Sequence, residues 1–190
     1  LSYNNILDLD AALGLVLESP TWRANADWGR VLGYDAAALA DANRLAIGLL
    51  LEIRAALESR EVPIVIGGVL GPRGDGYVVE RLMSPAEARD YHAEQVAVFA
   101  GSDADMVTVY TLNYVDEGIG VALAAREHRM PAAISFTLET DGRLPSGETL
   151  EEAVRRVDAA SGGHPAYYMI NCAHPEHFQH VLRGGGDWVR

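Results

Sequence analysis

A chain of 190 residues that is 49% apolar and 22% charged has the balance of a globular domain, long enough to bury a core without disulfide or metal staples. Its 27 acidic residues outweigh 15 basic ones, and the formal charge of −12 repels nucleic-acid phosphates and anionic lipid, so neither is expected as a partner. No apolar run approaches the roughly 18 to 20 residues that span a bilayer, and a lone cysteine cannot form an internal disulfide, which fits a reducing cytoplasm.

In chain order, Leu13–Glu18 is a short apolar run expected to form a buried strand. Ala36–Glu58 follows, rich in Ala and Leu, with Asp35 where a helix N-cap would sit. Val62–Leu70 is the second strand. Ser84-Pro85-Ala86-Glu87 then reads as a capping box with proline at the first helical position, opening a helix that closes near Gly101. Asp105–Tyr110 is the third strand, Val115–His128 a helix and Ala132–Leu138 the fourth strand. Thr149 with Glu152 forms another capping box, Ala166–Asn171 is the fifth strand, and Pro175–Arg183 is a helix stopped by Gly184–Gly186.

Strands that are continuously apolar and alternate with helices imply an α/β fold with a parallel sheet covered on both faces. Two architectures satisfy this, the doubly wound open sheet and the (β/α)8 TIM barrel, and the pattern alone does not separate them. The dinucleotide-binding open sheet loses ground because no Gly-x-Gly-x-x-Gly follows the first strand. Five strand–helix units in 190 residues extrapolate to about 300 for eight, so a barrel would be partial here. Leu1 in place of an initiating methionine, with no signal-peptide pattern, also points to a piece of a longer protein.

Both architectures bind ligands at the C-terminal ends of their strands, and those loops are polar in this chain. Cys172 leaves the fifth strand positioned as a thiolate ligand or nucleophile, or else as an ordinary buried cysteine. His174 and His177 could join it in a local metal cluster, or serve as a helix cap and a solvated face. Glu139 and Asp141 could act as an acid–base pair or anchor an ammonium group; the alternative is a solvated loop, with Asp141 and Asp75 shaping turns. Trp22 and Trp28 wall a pocket or pack against the first loop, and Tyr91, His92 and Glu94 read as a structural face of an outer helix.

At Ser135-Phe-Thr-Leu-Glu-Thr-Asp-Gly-Arg-Leu-Pro-Ser-Gly and at Ile170-Asn-Cys-Ala-His-Pro the sequence resembles the homocysteine S-methyltransferase family. Glu18-Ser-Pro-Thr-Trp-Arg-Ala and Gly68-Val-Leu-Gly-Pro-Arg-Gly-Asp are similar to the loops after that family's second and third barrel strands. The resemblance implies a TIM barrel of which residues 1–190 are a single domain, truncated at both ends and covering roughly strands two to six.

It also implies the chemistry: methyl transfer from S-methylmethionine, S-adenosylmethionine or a betaine-like donor to the zinc-bound thiolate of homocysteine, giving methionine. In the family three cysteines hold Zn2+, one after an asparagine at the sixth strand and two adjacent ones near the C-terminus. Cys172 matches the first, and no other cysteine is present. By the same resemblance Glu139 binds the homocysteine amino group, while Thr21 and Asn171 line the amino-acid pocket, with Asn171 beside the metal. Many relatives carry glutamate before threonine where this chain has Tyr110-Thr111. A noncatalytic fragment or degenerate barrel that only binds a small ligand is the alternative, because one cysteine does not complete a three-thiolate site.

Overall fold

The computed structural model describes residues 13–79 and 82–189. Eleven elements alternate along them: β1 (Leu15–Glu18), α1 (Ala26–Val31), α2 (Ala36–Leu57), β2 (Ile64–Leu70), α3 (Pro85–Ala100), β3 (Met106–Leu112), α4 (Val115–Glu127), β4 (Ala132–Phe136), α5 (Leu150–Ser161), β5 (Tyr167–Ile170) and α6 (Pro175–Arg183). All neighbouring strands are parallel and the spatial order is β1-β2-β3-β4-β5. That order decides between the two architectures. A doubly wound sheet reverses its strand order at a switch point, whereas a barrel adds each strand on the same side of the last. The result is a curled half-barrel, part of a (β/α) barrel.

The pleat assigns each strand two faces. One face meets the helices: a Cβ at Gly68 would collide with the Phe99 ring of α3, and Gly118 of α4 lies against Phe136 of β4. Ile66, Leu70, Val107, Val109, Ile134 and Phe136 join Val96, Phe99, Val121 and Val157 in one core on this side. Phe99 is fully buried there, a burial that contributes roughly 1.5–3 kcal/mol. The other face looks into the barrel. Gly67 lies between Thr108 Oγ1 and the Glu18 side chain, which places Glu18, Thr108, Tyr110, Ser135 and Asn171 on the inner surface near the strand ends.

Both capping boxes form, Ser84 with Glu87 and Thr149 with Glu152. Gly162 ends α5 in the left-handed conformation. The differences from expectation are local. α1 is six residues long, too short to show helical periodicity, and is held by the Asn25 side chain on Trp28 N–H. β2 begins at Ile64 because Pro63 has no N–H to give the ladder; its carbonyl instead accepts from Leu15 N–H at 3.0 Å. β3 runs on to Leu112, with a register break between Val109 and Leu112 where Thr111 takes φ 65°.

Candidate active site

At the end of β5 the chain turns sharply, with Cys172 at φ 55° and its thiol exposed. Asn171 organises the surroundings. Its Oδ1 accepts from Thr111 N–H at 3.0 Å and from Ser135 Oγ–H at 2.7 Å, and its Nδ2 donates to Thr111 Oγ1 at 2.8 Å and to Cys172 Sγ at 3.2 Å. One amide thus ties the ends of β3, β4 and β5 together and sets a donor on the sulfur. An asparagine suits this position because it alone among small side chains offers a carbonyl and an NH2 on one planar group. From the loop after β2, the exposed Tyr77 phenol lies beside the Cys172 thiol, whose influence, more than slight desolvation, raises the Tyr77 pKa.

Deeper on the inner surface Tyr110 Oη donates to Glu18 Oε2 at 2.6 Å. Burial, reinforced by Glu18, raises the Tyr110 pKa, so this phenol stays protonated and the carboxylate keeps its donor. Tyr167 of β5 faces the same carboxylate, and burial and that charge raise its pKa too. Trp22 Nε1 reaches the Tyr110 carbonyl at 3.4 Å. The Arg23 guanidinium stacks on both Trp22 and Trp28 at 4.5 Å, so the two indoles hold an arginine at the mouth.

The other expected residues sit as follows. Thr21 is buried, and its hydroxyl donates to the Val69 carbonyl at 2.7 Å and pairs with Ser19 Oγ at 2.7 Å. Ser19 Oγ accepts from Val69 N–H at 2.9 Å, so the pair stitches the loop after β1 onto β2. Glu139 is exposed and opens a turn in which Gly142 N–H donates to its carbonyl at 3.0 Å. Asp141 Oδ1 accepts from Arg143 N–H in that turn, and Asp75 Oδ1 accepts from Tyr77 and Val78 N–H in the β2–α3 loop, so both aspartates shape turns. His174 caps α6 through Nδ1, and its ring lies 5.9 Å from that of His177. Asn171 and Cys172 are therefore brought together directly. Among the described residues no hydrogen bond joins Thr21 or Glu139 to that pair.

A catalytic zinc takes at least three protein ligands. Cys172 fits one of these positions, being a thiol on a rigid strand end with an amide donor on its sulfur. Among the described residues no three His, Cys, Asp or Glu side chains are grouped to hold a metal, so a local Cys172–His174–His177 centre does not form.

A curled half-barrel of parallel strands with its polar groups at the strand ends belongs to the class of (β/α)-barrel proteins. The family model described as homocysteine S-methyltransferase matches residues 9–186, and the chain belongs to that family. No curated protein matches. Among solved structures the chain is similar to the homocysteine methyltransferase MmuM from Escherichia coli. To the metallated form it is 21% identical with TM-score 0.75, covering 90% of this chain and 63% of that one. To the oxidized form it is 21% identical with TM-score 0.76, covering 87% and 61%. To the apo form it is 20% identical with TM-score 0.65, covering 92% and 79%. The chain thus spans under two thirds of the first two, and at these identities the likeness shows the fold.

Some of the site escaped the sequence reading. Tyr77 stands in a Gly-rich loop with no motif of its own, and only the turn made by Asp75 brings it to Cys172. Ser135 opens one family-like motif and Thr111 lies near the end of β3, but their convergence on Asn171 depends on strand register. His92, on the helix face expected to be structural, is fully buried. It meets Glu117 Oε1 at 2.9 Å, and the same oxygen accepts from Arg73 N–H at 2.7 Å, pinning the β2–α3 loop between α3 and α4.

Proposed function

We propose that this chain is the homocysteine-binding portion of a homocysteine S-methyltransferase domain. The carrying observation is the Asn171–Cys172 strand end, with the amide of Asn171 donating to the sulfur in a chain of this family. Cys172 is one thiolate ligand of a zinc ion whose further ligands are not among the described residues. When bound, zinc supplies a substrate thiolate at neutral pH.

In this reading the chain's own residues do the binding and orienting. Asn171 fixes the Cys172 sulfur against Thr111 and Ser135. Glu139, with its carboxylate free to solvent, takes the substrate ammonium, and Thr21 holds the wall of the amino-acid pocket through its backbone contact rather than by offering its hydroxyl. S-methylmethionine, S-adenosylmethionine and a betaine-like compound are the donor candidates, and the product is methionine. Because the donor set is incomplete, the 190-residue chain by itself is expected to bind without turnover.

The test uses the complete reading frame that contains this chain, loaded with zinc. Glu139→Gln should raise KM for homocysteine about tenfold to a hundredfold, the loss of one charge-assisted hydrogen bond of ~1.5–3 kcal/mol, with a smaller effect on kcat. An unchanged KM would remove Glu139 from the substrate site.

A further inference from the structure

Glu18 is an inward carboxylate with no counter-charge. It ends β1 opposite Gly67, and the long Tyr110 side chain of β3 reaches across β2 to donate to its Oε2 at 2.6 Å. Among the described residues Oε1 has no hydrogen-bond partner and Glu18 forms no ion pair. Thr108, Tyr110, Ser135, Tyr167 and Asn171 share the inner surface with it, and none of them is cationic. A charge facing neutral walls is costly unless an opposite charge joins it, so the folded chain leaves this carboxylate uncompensated.

Two rings flank it. Tyr110 is one; the other is Tyr167 of β5, turned inward because its neighbour Tyr168 donates to Asp158 of α5 at 2.7 Å on the opposite face. Solvent reaches all three residues: Glu18 and Tyr110 are half-buried and Tyr167 is 39% exposed. The cluster also adjoins the strand end that carries Cys172. Thr111, the residue after Tyr110, is bound through its N–H and Oγ1 to Asn171, whose Nδ2 donates to the Cys172 sulfur. A carboxylate edged by phenol rings suits a methylated onium, because the oxygen meets the charge while the methyl groups pack on the ring faces. A primary ammonium instead presents three N–H donors, which want oxygen acceptors rather than rings.

We infer that Glu18, Tyr110 and Tyr167 form the subsite for the positive centre of the methyl donor, a sulfonium or quaternary ammonium. This rests on the methyl-transfer reading and adds to it the residues that hold the donor. Tyr110 orients the carboxylate, and Glu18 binds the charge. As the homocysteine thiolate forms its new S–CH3 bond, the donor's C–S or C–N bond breaks and its electron pair stays on the donor sulfur or nitrogen, which becomes neutral. The attraction to Glu18 is therefore strongest before transfer, so the residue governs donor KM rather than kcat.

Binding alone is tested with tetramethylammonium chloride titrated into the 15N-labelled 190-residue chain, against methylammonium and the neutral tert-butanol. Saturable shifts at Gly67 and Thr111 are expected at about millimolar tetramethylammonium, with affinity about fivefold weaker for the other two probes and for Glu18→Gln. Glu18→Gln keeps an oxygen for Tyr110 and loses only the charge; thermal unfolding verifies that its fold is retained. In the zinc-loaded complete reading frame, Glu18→Gln should raise donor KM about tenfold, with kcat and homocysteine KM within about twofold of the parent. Tyr110→Phe, which keeps the ring and frees the carboxylate, should raise donor KM about threefold. Tetramethylammonium binding no tighter than tert-butanol or methylammonium, or equally to Glu18→Gln, would overturn the subsite, as would a rise confined to homocysteine KM. Turnover with unchanged donor KM in Glu18→Gln overturns the subsite alone; no turnover with any of the three donors overturns the methyl-transfer reading as well.

Discussion

Replacing Asn171 by alanine removes four hydrogen bonds at once and tests whether one amide joins the ends of β3, β4 and β5. The largest cost is at Thr111, a buried residue held at φ 65°, whose N–H loses its acceptor. An orphaned buried N–H costs ~1–3 kcal/mol, and each remaining net bond contributes ~0.5–1.5 kcal/mol; the bond to the exposed sulfur counts least. The expected total is about 3 kcal/mol, a large part of the ~5–15 kcal/mol that stabilises a typical domain. Urea unfolding followed by tryptophan fluorescence measures it as a lower midpoint at unchanged slope. Asn171→Asp keeps both acceptor bonds and loses both donor bonds, so it should fall between the parent and Asn171→Ala. An Asn171→Ala variant within about 0.5 kcal/mol of the parent would refute the tie, since that is the scatter of surface substitutions.

Two glycines in helices should respond with opposite sign. Gly48 of α2 has open space where a Cβ would go, so Gly48→Ala should stabilise by about 0.5–1 kcal/mol through helix propensity. At Gly120 of α4 the same Cβ would enter the shells of Ala88 Cβ and Arg89 N, and an overpacking cost of ~1–3 kcal/mol outweighs propensity, so Gly120→Ala should destabilise. Thermal unfolding of both variants checks the packing of α3 on α4, and a stabilised Gly120→Ala would count against it. Alkaline stability gives an independent measure. Burial raises Tyr91, Tyr110, Tyr114 and Tyr168 above the ordinary 10.0, helped at Tyr168 by Asp158 and at Tyr110 by Glu18. Above the unfolded value the folded state retains protons that the unfolded state has released, so stability present below pH 10 declines as pH rises beyond it. These four tyrosines should therefore ionise only together with unfolding; ring 13C shifts that showed any of the four ionising near pH 10 in a still-folded chain would contradict the burial.

Much of the fold was legible because the signals are local. Ser84-Pro85-Ala86-Glu87 and Thr149–Glu152 name their helix starts chemically, and the continuous apolar runs of β2 and β4 announce a sheet covered on both faces. Barrel against open sheet was not legible from pattern, because strand order is a long-range property; the β1-to-β5 order resolves it. The site divides in the same way. Cys172 and Asn171 stood out through adjacency, whereas Ser135, Thr111 and Tyr77 reach them across 36, 60 and 95 residues of chain. Thr21 was placed at the mouth by its loop, yet its hydroxyl serves Val69, a distinction that no spacing rule encodes. His92 shows the converse: on a polar-looking helix it is buried because Glu117, one helix later, supplies its partner.

In the proposed function Cys172 is a zinc ligand for methyl transfer to homocysteine. The direct measurement is zinc content together with methionine formation in the complete reading frame, before and after Cys172→Ser, with His174→Ala/His177→Ala as control. Cys172→Ser should lose both the bound zinc and the activity, while the histidine variant keeps both. Full zinc occupancy and undiminished methionine formation in Cys172→Ser would contradict it.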